Sequence, residues 1–164
     1  MNINEFISTL PTSVVKGDSV SLPDGVIRRM FKLARLSKKD IFYDLGCGNI
    51  NAIYIASTEY EVKKAIGVEK RKKSVASLLE KTRSLINARV IIDDIRNVDI
   101  SDGNVFLFWF HDEKMIKQMM QKFSSELKEG SRIITVWSPP SLLYLINQIF
   151  PFLFPELRLN MLRV

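Results

Sequence analysis

Tyr43-Asp44-Leu45-Gly46-Cys47-Gly48-Asn49 is the stretch that decides the fold. It follows directly on Ile41-Phe42-Tyr43, a short apolar run that reads as a strand ending at Asp44. Ala52 to Ser57 then restarts with helical character. Gly46 permits a tight turn, and Gly48 lets the backbone approach a ligand with no Cβ in the way. The free N–H groups at the start of the next helix suit a carboxylate. A Gly-x-Gly also serves as a plain strand-to-helix turn; its place between a strand and a helix favours the ligand reading.

The same alternation continues outward from this stretch. Ala65-Ile66-Gly67-Val68 is a second apolar run, followed by a helix expected from about Lys70 to Ile86. Arg89 to Ile92, Val105 to Phe110 and Arg132 to Trp137 are further runs. Met115 to Leu127 has amphipathic helical spacing and is expected to close at Gly130. Upstream, Val26, Ile27, Met30, Phe31, Leu33 and Ala34 fall on one helical face, with Pro23 in the first turn. Short, nearly continuous β-branched and aromatic runs separated by helices predict an α/β fold, a parallel sheet covered on both faces. The expected architecture is a Rossmann-like, doubly wound, mostly parallel sheet.

The chain as a whole agrees. Its 164 residues, 46% hydrophobic and 26% charged, suit one globular domain over residues 1–164 rather than a disordered polymer. Residues 1–21 read as a lead-in to that domain, and 138–164 as an atypical C-terminal segment. The single cysteine, Cys47, excludes an internal disulfide and suits a reducing, cytoplasmic setting. Met1 to Phe6 lacks a signal-peptide pattern. The most apolar segment, Leu142 to Phe154, is broken by Asn147, Gln148 and Pro151 and falls short of the roughly 20 residues of a membrane span. It reads as core, or as a surface for self-association. The net charge is +6, part of it in the run Lys70-Arg71-Lys72-Lys73. Such a run fits nucleic acid or an acidic protein, and equally a solvated helix start.

In open α/β sheets ligands bind beyond the carboxyl ends of the strands. Glu69 ends the second run about twenty residues after the glycines, where an acid accepts from the two ribose hydroxyls of a nucleoside. A carboxylate suits that task because it only accepts and its bonds are charge-assisted. The competing reading is an acid complementing a helix dipole or pairing with the following lysines. Asp93 and Asp94 end the third run; one carboxylate there suits an adenine amino group, with Ile95 on the ring, while the other serves the turn. Phe108-Trp109-Phe110-His111 ends the fourth run, and Trp137 the fifth. Aromatic walls steady a cation and exclude water, and His111 is suited to proton transfer or to starting the next helix. Cys47 reads as a small buried residue, and no cluster suits a metal.

The order Asp44-Leu45-Gly46-Cys47-Gly48, then Glu69, then Asp94 resembles the cofactor site of class I S-adenosylmethionine-dependent methyltransferases. The closer resemblance is to small archaeal protein lysine methyltransferases, related in fold to histone methyltransferases of the Dot1 type. It is carried also by Leu22 to Met30, Val62 to Glu69, Val98-Asp99-Ile100-Ser101 and Glu126 to Arg132, and spans about residues 22–137. The resemblance implies that S-adenosyl-L-methionine is the cofactor and that protein lysines are the substrate. It further implies that Asp44, Gly46 and Gly48 hold the methionine part, Glu69 the ribose and Asp94 the adenine amino group. Trp109, Phe110 and His111 would then lie where the methyl group emerges.

The sequence departs from the family at Asn49-Ile50-Asn51, where Asp-Gly-Arg is usual, so a branched Ile50 stands at the position of a third glycine. A β-branched residue there is expected to narrow the pocket or to force another backbone path. Leu22 replaces a small hydroxyl residue, and the segment after Ser138 lacks the usual antiparallel strand pair. Ser138-Pro139-Pro140 is similar to a motif of amino-group methyltransferases acting on nucleic acids, but it follows the fifth run rather than the fourth and lacks the leading Asn or Asp. Methylation of RNA or a small molecule, and a binding module without catalysis, stand as the alternatives.

Overall fold

The structure, a computed structural model, describes residues 22–71, 75–108 and 113–134. The chain order is α1 (Asp24–Leu33), β1 (Ile41–Leu45), α2 (Asn51–Thr58), β2 (Lys64–Val68), α3 (Val75–Thr82), β3 (Ala88–Ile91), β4 (Val105–Phe108), α4 (Glu113–Glu126) and β5 (Arg132–Ile134). The strands lie in the order β3-β2-β1-β4-β5, and every pairing is parallel. The chain winds outward from β1 to β3, then returns to the other side of β1 for β4 and β5. Strand order therefore reverses between β1 and β4, which is where such sheets open a crevice at their carboxyl ends.

Alternation along the strands sends side chains into two cores. Phe42, Ala65, Val105, Leu107 and Ile134 pack with Ile27 and Phe31 of α1 and Ile53 and Ala56 of α2. Tyr43, Leu45, Ile66, Val68 and Phe106 pack on the opposite face with Ile116, Met119, Met120 and Phe123 of α4. Burial on both faces explains why the runs are continuously apolar rather than alternating.

At the amino ends of the strands a polar clamp holds three strands together. Asp40, only 3% exposed, accepts from the Ser37 backbone N–H (2.7 Å), the Ser37 hydroxyl (3.0 Å), the Asn104 amide (2.9 Å) and Arg132. Arg132 also donates to the carbonyls of Ala34 (2.7 Å) and Arg35 (3.0 Å). Those carbonyls are free because α1 ends in a Schellman motif: Leu36 N–H donates to Phe31 O and Arg35 N–H to Lys32 O. Arg35 takes the left-handed conformation (φ 53°) that glycine usually fills there.

Apart from shifts of one or two residues at other element ends, three boundaries differ from the sequence expectation. Pro23 sits at the N-cap of α1 rather than inside its first turn; its carbonyl accepts from Val26 and Ile27, so its missing N–H costs nothing. The helix expected over Lys70 to Ile86 is α3, Val75–Thr82, and residues 72–74 lie outside the described ones. Gly130 lies beyond α4 in a turn closed by Ser131 N–H to Lys128 O (3.1 Å), where φ of 82° favours glycine. It punctuates the entry to β5, not the end of the helix. Among the described residues no helix is long and apolar enough to cross a membrane.

Candidate active site

The loop after β1 is pinned to the end of β2, where the N–H groups of Gly46 and Cys47 both donate to Val68 O (2.8 and 3.1 Å). Its backbone then alternates, with positive φ at Gly46 (95°), Gly48 (51°) and Ile50 (66°). The third of these answers the question posed by the sequence. Ile50 keeps the left-handed path that a glycine would take, at a backbone cost of roughly 1–2 kcal/mol. Its side chain is 2% exposed and belongs to the core with Phe31, Ile53 and Ala56. The branched residue is thus turned into the core, and its burial offsets the backbone strain. Asn49 Oδ1 accepts from the Asn51 N–H (3.2 Å), and Asn51 Nδ2 donates to Asp24 (3.1 Å), fixing the start of α2 against α1.

Gly67 is a contributor that sequence reading missed. A Cβ there would lie 2.7 Å from Cys47 Sγ and 3.0 Å from its Cβ. The bare glycine in β2 makes the room in which Cys47 sits, so the glycine loop can lie close against the strand. Burial, with Asp44 and Glu69 nearby, pushes the Cys47 thiol far above its usual range, so it stays protonated. The only hint in the sequence was a glycine inside an otherwise β-branched run.

Two acids meet beneath this loop. Asp44 pairs in register with Gly67, and Glu69 follows the end of β2. Asp44 is 7% and Glu69 4% exposed. Glu69 is buried yet pairs with one member of the basic run: its Oε2 accepts from Gly48 N–H (3.0 Å) and its Oε1 from Arg71 N–H (2.9 Å), with Arg71 Nε at 3.4 Å. It braces the glycine loop from below. Asp44 has no hydrogen-bond donor among the described residues. Burial, then the neighbouring Glu69, pushes its carboxyl up to about 7.

After β3, Asp93 is the turn residue of its pair: Oδ1 accepts from Asp94 N–H (2.6 Å) and Asn97 Nδ2 (3.0 Å). Asp94 is engaged throughout. Oδ1 accepts from the Arg96 N–H (3.0 Å) and Nε (2.8 Å), and Oδ2 from Arg96 Nη2 and from Lys70 Nζ (3.1 Å). These donors fill the lone-pair positions of a carboxylate, and chiefly the Arg96 guanidinium holds Asp94 well below the usual carboxylate range. An adenine amino group reaches Asp94 only if Lys70 or Arg96 lets go. Ile95 is buried in the α4-side core. Trp109, Phe110, His111 and Trp137 lie outside the described residues, as do Lys72, Lys73 and residues 138–164. Among the described residues no group of three or more His, Cys, Asp or Glu is placed to hold a metal.

Residues 13–101 match the family described as histone methylation protein DOT1. The chain belongs to this family. The match takes in the glycine loop, Asp44, Glu69 and Asp94. A curated relative named protein-lysine N-methyltransferase, from Saccharolobus islandicus (strain REY15A), is 35% identical over 121 residues, covering 71% of this chain and 73% of the relative. The fold is that of class I methyltransferases. An RNA methyltransferase from Salinibacter ruber, solved with S-adenosyl-L-homocysteine, superposes with a TM-score of 0.66 at 20% identity, over 74% of this chain and 84% of that one. A precorrin-6y C5,15-methyltransferase from Geobacter metallireducens does so with a TM-score of 0.63 at 13% identity, over 76% and 68%. This Dot1-family chain is therefore a methyltransferase by family, and S-adenosylmethionine is the cofactor that the family uses.

Proposed function

We propose that the chain transfers the methyl group of S-adenosylmethionine to lysine amines of proteins, with residues 1–164 acting as one domain in the cytoplasm. The observation that carries this reading is the buried carboxylate pair under the glycine loop, taken with membership of the Dot1 family. The residues fit the cofactor. Asp44, buried and without a donor, suits the ammonium of the methionine part. Gly46 and Gly48 let that part lie against the backbone. Glu69 uses each oxygen once for the protein and retains lone pairs for the ribose hydroxyls. Asp94 is assigned to the adenine amino group, with Ile95 forming the floor beside it. Trp109, Phe110 and His111 are assigned to the mouth through which the amine enters.

Bound there, S-adenosylmethionine supplies an electrophilic methyl on a sulfonium. The protein's task is alignment and exclusion of water. The lysine amine attacks only when neutral, so the mouth must disfavour the ammonium form, as a desolvated site does.

RNA or small-molecule methylation is the less supported reading. Of the run Lys70-Arg71-Lys72-Lys73, Lys70 pairs with Asp94 and Arg71 with Glu69, so both are spent in part on the crevice. The binding-module reading rests on Ile50 and on the C-terminal segment; Ile50 preserves the loop, and residues 138–164 lie outside the described ones. Incubation of the purified protein with labelled S-adenosylmethionine and candidate proteins tests the proposal. Methyl-lysine detected by mass spectrometry, and absent with Asp44→Ala, is the expected result; label in RNA but in no protein would refute it.

A further inference from the structure

Two carboxylates stand side by side at the carboxyl ends of neighbouring parallel strands, and their surroundings differ sharply. Glu69 has the Gly48 and Arg71 N–H groups on its two oxygens and the Arg71 side chain nearby. Those bonds suit a charged carboxylate. Asp44 is buried to a similar depth and has no donor among the described residues. The groups around it leave it so. From the loop comes Cys47, a thiol that stays protonated. From β4 come Leu107, its partner in register, and the apolar Phe108. α2 carries no charged residue. On α1, Asp24 is bonded to Asn51 and Arg28 to Glu59. Arg71, the cation beside the neighbouring acid, is on Glu69. His111 and Asp112, beyond β4, lie outside the described residues.

A buried carboxylate beside a second one, with no donor of its own, has two ways to lower its free energy: keep a proton, or face a cation. We propose that Asp44 is the charge-selecting residue of the cofactor site, holding a proton while no cation faces it and surrendering that proton when the ammonium of the cofactor's methionine part arrives. The exchange balances. A neutral carboxyl and an ammonium become a carboxylate–ammonium pair, and one proton passes to solvent. The burial that makes Asp44 costly to ionise in the empty site is what makes it selective, because a ligand without a positive charge gains nothing by displacing the proton. The inference rests on the cofactor reading above and adds a property that reading does not require.

Calorimetric titration with S-adenosylhomocysteine, which has the ammonium and does not react, in buffers of different ionisation enthalpy, counts the protons released. Asp44 titrates at about 7 in the empty site, so release of about half a proton at pH 7 and about nine-tenths at pH 6 is expected, with affinity falling about fivefold between them. Both values lie below the pH where the ligand's own amino group titrates. 5′-Methylthioadenosine, which lacks the amino-acid part, should bind with no release, and Asp44→Asn should abolish the release seen with S-adenosylhomocysteine. His111→Gln should leave the count unchanged. S-adenosylhomocysteine binding without proton release overturns the proposal and leaves the cofactor reading intact. Equal release by 5′-methylthioadenosine, or loss of release in His111→Gln, also overturns it. Failure of S-adenosylhomocysteine to bind at all removes the cofactor reading and the proposal together.

Discussion

Asp40 and Asp44 lie four residues apart at the two ends of one strand, both more than nine-tenths buried, and they do opposite things. Asp40, at the amino end, accepts from Ser37, Asn104 and Arg132, and through them joins β1, β4 and β5 to the end of α1. Asp44, at the carboxyl end, has no donor and a like charge beside it. One end of the sheet satisfies its buried carboxylate with protein donors, and the other leaves a buried carboxyl without one among the described residues. The comparison teaches where a binding site lies in a fold whose two ends look equally acidic in sequence. A buried acid whose bonds are missing is the stronger candidate for facing a ligand.

The largest effect should come from breaking the satisfied end. Asp40→Ala leaves Arg132 without its anion, and a loss of about 3 kcal/mol is expected in urea unfolding, the lower part of the usual range because Arg132 is partly exposed. Cofactor affinity, measured where the variant is still folded, should change little. An unchanged unfolding midpoint would mean that the clamp carries no stability.

Asp44→Asn should act with the opposite sign. The folded protein holds a proton on Asp44 that the unfolded chain releases near pH 4, so this group's contribution declines as pH rises from about 4 to about 7 and stays lost above. The shift sets a ceiling of about 4 kcal/mol. The unpartnered amide of the variant takes part of this back, leaving a gain on the order of 2 kcal/mol at pH 8 that vanishes near pH 4. Thermal unfolding at the two pH values reads it, together with weaker but measurable cofactor binding. A variant that is less stable at pH 8 would show that Asp44 is a satisfied structural acid like Asp40.

Gly67→Ala sharpens the comparison at the unsatisfied end. The new methyl meets Cys47 Sγ at 2.7 Å, and overpacking of this kind costs roughly 1–3 kcal/mol. Adding Cys47→Ala should restore part of that loss by removing the sulfur; equal stability of the single and double variants would show that the contact is not the cause. The smallest effect belongs to Lys70→Ala. Freeing one lone pair of Asp94 from an exposed lysine should tighten cofactor binding by at most about threefold, and by less at high salt. Weaker binding in this variant would mean that Lys70 itself holds the cofactor.

The strands were legible because a strand buried on both faces can hardly avoid being apolar, and the glycine loop because positive φ between a strand and a helix calls for glycine. The position of Glu69 was legible from its distance to those glycines. Ile50 was not, since a sequence offers no sign that an isoleucine will hold a left-handed backbone once its side chain is in the core. Nor was the competition of Arg96 and Lys70 for Asp94, which depends on side chains from different loops converging. Gly130 was read as a helix stop because turn and cap glycines have the same sequence signature.

By itself the sequence determined the element order, the parallel sheet and the family, because each rests on local periodicity and on short motifs of fixed spacing. Only the tertiary structure decided which donors each carboxylate meets. Asp40, Asp44, Asp93 and Asp94 are chemically one residue, and what separates them is how many donors the folded chain brings to each. For Asp40 the donors come from segments distant in sequence, Asn104 and Arg132; for Asp93 and Asp94 they come mainly from the same turn, with Lys70 added from the loop after β2.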